Sequence, residues 1–240
     1  MFLVGVFLVA ILSGATATVV GFGIGSLLTP LLAVTFGTTT AVALVTLPHA
    51  AATAVRCWRL RDHVDRTVLV RFGLLSAVGA LAGALLYTRL GPGVLTRVLG
   101  GLLLLTAAAQ LTGWSSRWQP HGPVVALFGL VSGFFGGIAG NQGGLRSAAL
   151  TAFGLPPLGF VATATATGLL VDAARTPVYL WHSGPVMLTL WAPIIVTMVG
   201  VLIGTMVGER LLLGLSPRHF GQTIGGAIGA LGIWMLVMPG

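Results

Sequence analysis

The sequence predicts an all-α integral membrane protein built from two homologous repeats. Of the 240 residues, 56% are hydrophobic and 7% are charged, whereas an ordinary soluble domain has roughly 25% charged residues. The mean hydropathy is +1.02. Apolar runs also recur in two halves of the chain, with a glycine-rich interruption at the corresponding place in each half. At roughly 20 residues per spanning helix, this length allows about eight to ten membrane segments.

The same composition excludes several classes of protein. A soluble enzyme or a disordered chain needs more polar residues than this sequence has. The single cysteine, Cys57, excludes an intrachain disulfide. The net charge of +8 comes from 12 basic residues, all arginine, against 4 acidic ones. These arginines lie singly between apolar runs rather than clustered, which argues against nucleic-acid binding and is typical of loops beside a membrane.

Residue pairs at a nearly constant offset indicate the duplication. Ser13 and Gly14 recur as Ser132 and Gly133. Further pairs at offsets of 119 or 121 residues are Gly21 with Gly140, Gly25 with Gly144, Arg56 with Arg175, Gly79 with Gly200, Gly83 with Gly204, Arg89 with Arg210 and Arg97 with Arg218. The pattern predicts a first repeat over residues 1–115, a linker over 116–122 and a second repeat over 123–240.

Each half contains five apolar segments. In the first half they are residues 2–20, 26–36, 39–57, 67–87 and 94–111. In the second half they are residues 123–139, 145–153, 160–181, 187–207 and 220–237. The second segment of each half is too short to cross alone, because about 10 helical residues span roughly half of a 30 Å hydrocarbon core. We therefore predict, in each half, a broken or re-entrant helix pair followed by three spanning helices.

The distribution of arginine predicts how the halves are oriented. Residues 56–71 hold five arginines and are expected to be cytoplasmic, whereas the corresponding loop, residues 182–185, holds none. Inverted repeats place eight arginines inside and two outside, with Arg146 and Arg175 left at membrane depth. Parallel repeats place six arginines inside and four outside. The inverted arrangement is therefore favoured, because it gives the larger excess of arginine on the cytoplasmic side.

Two glycine-rich breaks are the most informative segments for function. Residues 21–25 precede Ser26 and Pro30, and residues 140–144 precede Arg146 and Ser147. Irregular backbone at membrane depth is tolerated only where it is buried in protein or lines a wet cavity. Paired broken helices at matching places in two repeats indicate the binding site of a transporter.

The chemistry of these breaks favours an anion. The first N–H groups of a helix have no partner within it and carry partial positive charge, and glycine lets a ligand approach them closely. We expect Ser26 to cap the first short helix and Pro30 to lie close to its first turn. The predicted substrate-binding residues are Gly21, Gly23, Gly25, Ser26, Gly140, Asn141, Gln142, Gly143, Gly144, Arg146 and Ser147. The alternative is that the glycines only permit close helix packing.

Arg146 requires a compensating partner. A charge at the centre of a bilayer costs at least about 2.5–3.5 kcal/mol, and none of the four acids is close to it in sequence. A bound anion is one partner, since guanidinium makes bidentate contact with sulfonate or carboxylate oxygens. The alternative is that Arg146 donates to a backbone carbonyl or reaches the membrane surface.

Candidates for coupling or gating lie farther along the chain. Asp172 and Arg175 are three residues apart on one predicted helix and so share a face; a buried structural pair is the alternative. Thr163 and Thr167 could line a polar path beside them. His49, which follows Pro48 in an apolar segment, is interpreted as a packing residue. The scattered histidines and few acids predict no enzyme, no metal centre and no cofactor.

The sequence resembles the TauE/SafE family of membrane anion transporters, often called sulfite exporters. The resemblance is carried by residues 140–150, 160–163 and 171–179 and by the glycines and proline of residues 21–30. It implies transport, usually export, of sulfite, sulfoacetate and related anions across a bacterial plasma membrane. Ala149 stands where a proline often follows the glycine cluster in the family, which leaves the cargo open.

The resulting prediction is a multi-pass secondary transporter in the bacterial inner membrane that exports a small anion. Sulfite, sulfoacetate or a related organosulfonate or carboxylate is the expected substrate. The expected partners are the lipid bilayer that surrounds the protein and a coupling ion, either a proton or another ion. The oligomeric state is not predicted, and a homodimer is one possibility. A passive anion channel and a non-transporting membrane scaffold or assembly protein are the alternatives.

Overall fold

A computed structural model describes the backbone of residues 1–113, 122–211 and 217–237; the side chains of residue 20 and of residues 209–220 are not described. All regular elements within these ranges are helical. The ten main helices are α1 (Phe2–Val20), α2 (Ile24–Phe36), α3 (Thr38–Leu60), α4 (Arg66–Tyr87), α5 (Pro92–Thr112), α6 (Pro123–Ala139), α7 (Gly143–Leu150), α8 (Pro157–Thr189), α9 (Trp191–Leu211) and α10 (Pro217–Val237).

Several of these helices are apolar and long enough to cross a bilayer. Six described helices meet this condition by length and composition: α1, α3, α4, α5, α8 and α9. Three shorter apolar stretches are α2, α6 and residues Gly221–Val237 of α10. The prediction of an all-α, multi-pass membrane protein is therefore confirmed.

One predicted loop is wrong. Residues 182–185 lie inside α8, which continues to Thr189 and includes Pro177 and Pro185. The turn falls instead at Leu190, immediately before α9. A proline inside a helix removes one backbone hydrogen bond, but membrane helices tolerate it because neighbouring groups satisfy the freed carbonyl. The interval between the two predicted apolar segments is therefore helical rather than a loop.

Helices from opposite halves of the chain pack side by side through glycine. A Cβ atom on Gly14 of α1 would collide with the carbonyl of Val201 in α9, and one on Gly204 would collide with the carbonyl of Ile11. α4 and α6 make the same kind of contact: Gly133 lies against the carbonyl of Ser76. In both pairs, residue numbers rise together along the contact, so the two helices run parallel.

The remaining inter-half pairs run antiparallel. In α5 and α10, Gly100 contacts Leu236, whereas Gly225 contacts Gln110. His49 of α3 contacts Asp172 of α8. The hydroxyl of Tyr87 hydrogen-bonds the carbonyl of Thr39, at the start of α3, and Ser183 Oγ, near the end of α8. The start of α3 therefore lies beside the end of α8. Tight turns also join α4 to α5 and α8 to α9, so the helices of each of these pairs run antiparallel. Taken together, the contacts and turns divide the helices into two groups with opposite directions. One group is α1, α3, α5 and α9, and the other is α4, α6, α8 and α10.

The two short helices, α2 and α7, each fold back along the helix that precedes them, α1 and α6. The rings of Phe2 and Phe36 lie 5.7 Å apart, so α1 and α2 form a hairpin whose tip is the segment 21–23. In the second hairpin, Phe153, just beyond α7, packs on Phe72, which also contacts Gly129 in the first half of α6. Each hairpin therefore places its tip in the interior of the helix bundle.

Some predictions fall on residues outside the described ranges. Residues 116–121 of the predicted linker, which include Arg117, are among them. The side chains of Arg210 and Arg218 also lie outside.

Candidate functional site

A small cavity lies where the two hairpin tips meet. The residues that line it are Ala17, Gly21, Phe22, Gly23, Ile24, Gly25, Ser26, His49, Arg56, Gly140, Asn141, Gln142, Gly143 and Arg146. Two arginines and a histidine are among them, and no aspartate or glutamate of the described residues is. The cavity is therefore polar, and its ionisable lining residues are all basic.

The first tip is shaped by glycines with backbone angles that other residues rarely adopt. Gly21 ends α1 at φ 85° and Gly23 begins α2 at φ 143°. The prediction that Ser26 caps this helix is wrong: Gly23 occupies the cap position, and no side chain caps the helix. Pro30 is the seventh residue of α2 and so lies in its second turn, not close to the first.

The second tip repeats this arrangement. Gly140 ends α6 in the left-handed region at φ 69°, and α7 begins at Gly143 without a side-chain cap. Because neither α2 nor α7 has a side-chain cap, their first N–H groups are left for another acceptor. Both helix starts line the cavity, so two partial positive charges face the same space.

The two tips contact each other directly. A Cβ atom on Gly25 would collide with the carbonyl oxygen of Gly140, and one on Gly143 would collide with the side chain of Phe22. Ser26 Oγ donates to Asn141 Oδ1 across the contact at 3.0 Å. Glycine at these positions therefore permits an approach that any larger residue would prevent.

Arg146 extends from α7 to the first tip. Its Nη2 donates to the carbonyl of Gly21 at 3.1 Å, and the residue is 4% exposed. Nε and Nη1 have no hydrogen-bond partner in the described part of the chain. The carbonyl partner considered from the sequence is thus present, but it satisfies only part of the guanidinium.

Neighbouring amides share this lack of partners. Asn141 Nδ2 and both polar atoms of the Gln142 side chain are buried and make no hydrogen bond within the described residues. Buried polar groups in proteins are nearly always bonded to protein or water. These donors, together with Arg146, form a set that suits a ligand rich in acceptor oxygens.

Asp172 and Arg175 form a buried ion pair behind the second tip. Arg175 donates to Asp172 Oδ1 from Nε at 3.1 Å and from Nη2 at 2.8 Å. Its Nη1 donates to the carbonyl of Gly136 in the last turn of α6 at 2.7 Å. His49 Nδ1 lies 2.7 Å from the other carboxylate oxygen of Asp172. The pair therefore joins α8 to the end of α6 and to the cavity-lining His49.

Six of the predicted site residues do not line the cavity. They are Gly144, Ser147, Thr163, Thr167, Asp172 and Arg175. Gly144 packs on Thr106 of α5. Thr163 Oγ1 accepts a hydrogen bond from the backbone N–H of Asp65, while the side-chain oxygens of Ser147 and Thr167 are buried without a hydrogen-bond partner in the described chain.

Five cavity residues were not predicted from the sequence: the apolar Ala17, Phe22 and Ile24 and the ionisable His49 and Arg56. His49 was interpreted as a packing residue, but it contacts Asp172 and lines the cavity. A signal for Arg56 existed, because it pairs with Arg175 at the offset of 119 residues. A signal for His49 existed in its position inside an apolar segment, but its partner lies 123 residues away and could not be identified from the sequence. Among the described residues, no group of three His, Cys, Asp or Glu side chains could hold a metal ion.

Among the comparisons with known proteins, one gives a match. No curated protein and no solved structure matches the chain. A family model does match, described as sulfite exporter TauE/SafE, over residues 6–235. Since this match covers nearly the whole chain, the protein belongs to the TauE/SafE family of membrane sulfite and anion exporters.

Proposed function

We propose that the protein is a secondary transporter that exports a small oxyanion such as sulfite. The observation that carries the proposal is the set of buried donors without protein acceptors: Arg146 Nε and Nη1, Asn141 Nδ2 and Gln142 Nε2. They belong to the tip where the uncapped start of α7 meets that of α2. A bound oxyanion accepts hydrogen bonds from these groups and offsets the buried charge of Arg146.

We also propose that the site lies at the middle of the membrane, between two inverted repeats. The opposite directions of equivalent helices support this arrangement: α1 opposes α6, α3 opposes α8, α4 opposes α9 and α5 opposes α10. The length of the short helices supports the depth, because α2 has 13 residues and α7 has 8. At 1.5 Å per residue they reach about 20 and 12 Å, less than a full hydrocarbon core.

This arrangement suits alternating access. A site between two inverted repeats becomes open to one side or the other as one repeat rocks against its partner. The glycines bring the two tips into direct contact, so a small tilt of one repeat changes the shape of the cavity. The basic lining favours an anion over a zwitterion such as taurine, whose ammonium would meet Arg146 and Arg56.

The experiment is sulfite flux from proteoliposomes that contain the purified protein. Wild type should give saturable flux, and Arg146→Gln should lower it at least about tenfold. Arg97→Gln is the matched control, because Arg97 is exposed on α5 and does not line the cavity. Sulfoacetate and acetate should compete with sulfite, whereas taurine should not.

Each contrary result has a distinct meaning. Flux that follows membrane potential without saturation would make the protein a passive anion channel. Full activity in Arg146→Gln would remove Arg146 from the site. If no anion moves and none raises the melting temperature of the purified protein, the anion proposal is wrong.

A further inference from the structure

His49 is a titratable side chain in the cavity wall that anion binding by itself does not require. It lies on α3, and its side chain is 14% exposed in a segment that is otherwise at membrane depth. Ionisable residues inside a membrane are rare, and they mark ion or proton pathways. The position of His49 in the wall of the cavity is therefore consistent with a role in proton binding.

The hydrogen bond to Asp172 fixes the state of the imidazole. Asp172 is 1% exposed, and its Oδ1 already accepts two hydrogen bonds from Arg175. The carboxylate is therefore ionised, and its Oδ2 can only accept. His49 Nδ1 must then donate across the 2.7 Å contact, which leaves Nε2 as the nitrogen that gains or loses a proton.

Several charged and polar groups surround His49. Asp172 and Arg175 act on it from α8, and Arg146 acts on it from α7. Arg56 lies two helical turns away on α3 and lines the same cavity, and Thr53 Oγ1 lies 3.4 Å from Nδ1. The described side chains of α2 and α9 contribute no charge. Asp172 is the one carboxylate among these groups, and its two oxygens already contact Arg175 and His49.

A bound anion adds negative charge beside His49. Its attraction for the imidazolium makes the protonated form more favourable. By linkage, the protonated form then binds the anion more tightly by the same factor. Two unit charges about 6 Å apart in a partly shielded site interact strongly enough to change affinity by tenfold or more.

We infer that His49, held by Asp172, is a proton-binding site whose occupancy is coupled to the anion in the cavity. The inference rests on the proposed function, since it needs an anion in that cavity. Nε2 takes one proton from water when the anion binds and returns it to water when the anion leaves. Protonation forms one N–H bond at Nε2 and release breaks it again, so His49 ends unchanged and one proton accompanies each anion that crosses.

The test measures the affinity of the purified protein for methanesulfonate, a monoanion that does not itself titrate between pH 5.5 and pH 8. Wild type should bind it about tenfold more weakly at pH 8 than at pH 5.5. A pH-indicator dye in weakly buffered solution should report proton uptake as methanesulfonate is added. This second measurement needs no variant, so it does not depend on how a mutant folds.

His49→Gln keeps a donor toward Asp172 but cannot titrate. It should bind methanesulfonate equally at both pH values, with the affinity of wild type at pH 8, and it should take up no proton. His63→Gln is the matched control, because His63 is exposed outside the cavity, and it should behave as wild type.

Three outcomes would overturn the inference. Equal wild-type affinity at both pH values removes the coupling but leaves the anion site intact. The same pH dependence in His49→Gln as in wild type assigns the proton to another group. Absence of methanesulfonate and sulfite binding at any pH overturns the proposed anion site as well.

Discussion

Arg146 and Arg175 are both buried cations, but the chain compensates their charges differently. Arg175 has an ionised carboxylate and a carbonyl as partners, and it is 2% exposed. Arg146 has only the carbonyl of Gly21 among the described residues. Because an uncompensated buried charge is expensive, we propose different roles for the two residues: Arg175 stabilises the structure behind the tip, while Arg146 binds the ligand.

The ion pair makes a prediction about stability. Asp172→Asn leaves Arg175 buried without its counter-charge, which should destabilise the protein by about 3 kcal/mol. For a chain of this size the Tm should fall by roughly 6–12 °C, measured by thermal melting of the purified protein.

The control for this prediction is Asp62→Asn. Asp62 lies 3.8 Å from Arg61, and both side chains are more than half exposed. Exposed pairs contribute little, so this variant should keep the wild-type Tm. An Asp172→Asn protein as stable as Asp62→Asn would show that Asp172 does not compensate Arg175.

Gly25 gives a second prediction at the scale of one residue. In Gly25→Ala, the new methyl group would collide with the carbonyl of Gly140, so the two tips must separate. We expect sulfite to raise the Tm of this variant much less than that of wild type. Gly101→Ala is the control, because nothing lies within 4 Å of that position and alanine favours the helix. An undiminished response to sulfite in Gly25→Ala would mean that the tip contact is not needed for binding.

At the scale of elements, close helix pairing depends on glycine in both halves. Gly14 lets α1 approach α9, and Gly133 lets α6 approach α4, each against a backbone carbonyl. Lipid removes the usual hydrophobic drive for association, so helices in membranes rely on close van der Waals packing. These two pairs therefore act as the scaffold that carries the hairpins.

This symmetry predicts similar costs for equivalent substitutions. Gly14→Ala and Gly133→Ala should each destabilise the protein by about 1–3 kcal/mol, because the new methyl group overpacks a backbone contact. Gly226→Ala on α10 should be neutral, since no atom lies within 4 Å. Thermal melting of the three variants checks this. A large loss for only one of the first two would argue against equivalent roles for the two helix pairs.

At the scale of the whole molecule, the helix directions and the arginines agree. The connection from α3 to α4, which contains Arg61 and lies between Arg59 and Arg66, is at the same end as the loop before α8, since His63 and Gly159 are neighbours. The turns at residues 88–91 and 190 lie at the other end. The arginine-rich end is the one that the positive-inside rule places in the cytoplasm.

Cysteine labelling tests this orientation. In a Cys57→Ala background, a membrane-impermeant thiol reagent should label His63→Cys only in inside-out vesicles. It should label Thr189→Cys only in right-side-out vesicles. Both positions are exposed, so the two variants control each other. Labelling of both from the same side would contradict the predicted topology.

Much of the fold could be predicted because membrane helices leave a strong local pattern. The bounds of α1 and α6 were predicted to the residue, and the other helix ends mostly within a few residues. The main error, a loop inside α8, arose because the interval between two apolar segments at residues 182–185 does not interrupt the helix. The offset pairs predicted a duplication, but not which helix of one half would contact which helix of the other.

The sequence by itself determined that this chain is helical, lies in a membrane and carries two glycine-rich segments with Arg146 beside one of them. These properties depend on composition and on spacing along the chain, which any reader of the sequence can measure. Only the tertiary structure decided that the two segments touch, that Arg146 reaches the carbonyl of Gly21, and that His49 meets Asp172. The physical reason is that these contacts join residues more than 100 positions apart, and only the packing of helices from both halves brings them together.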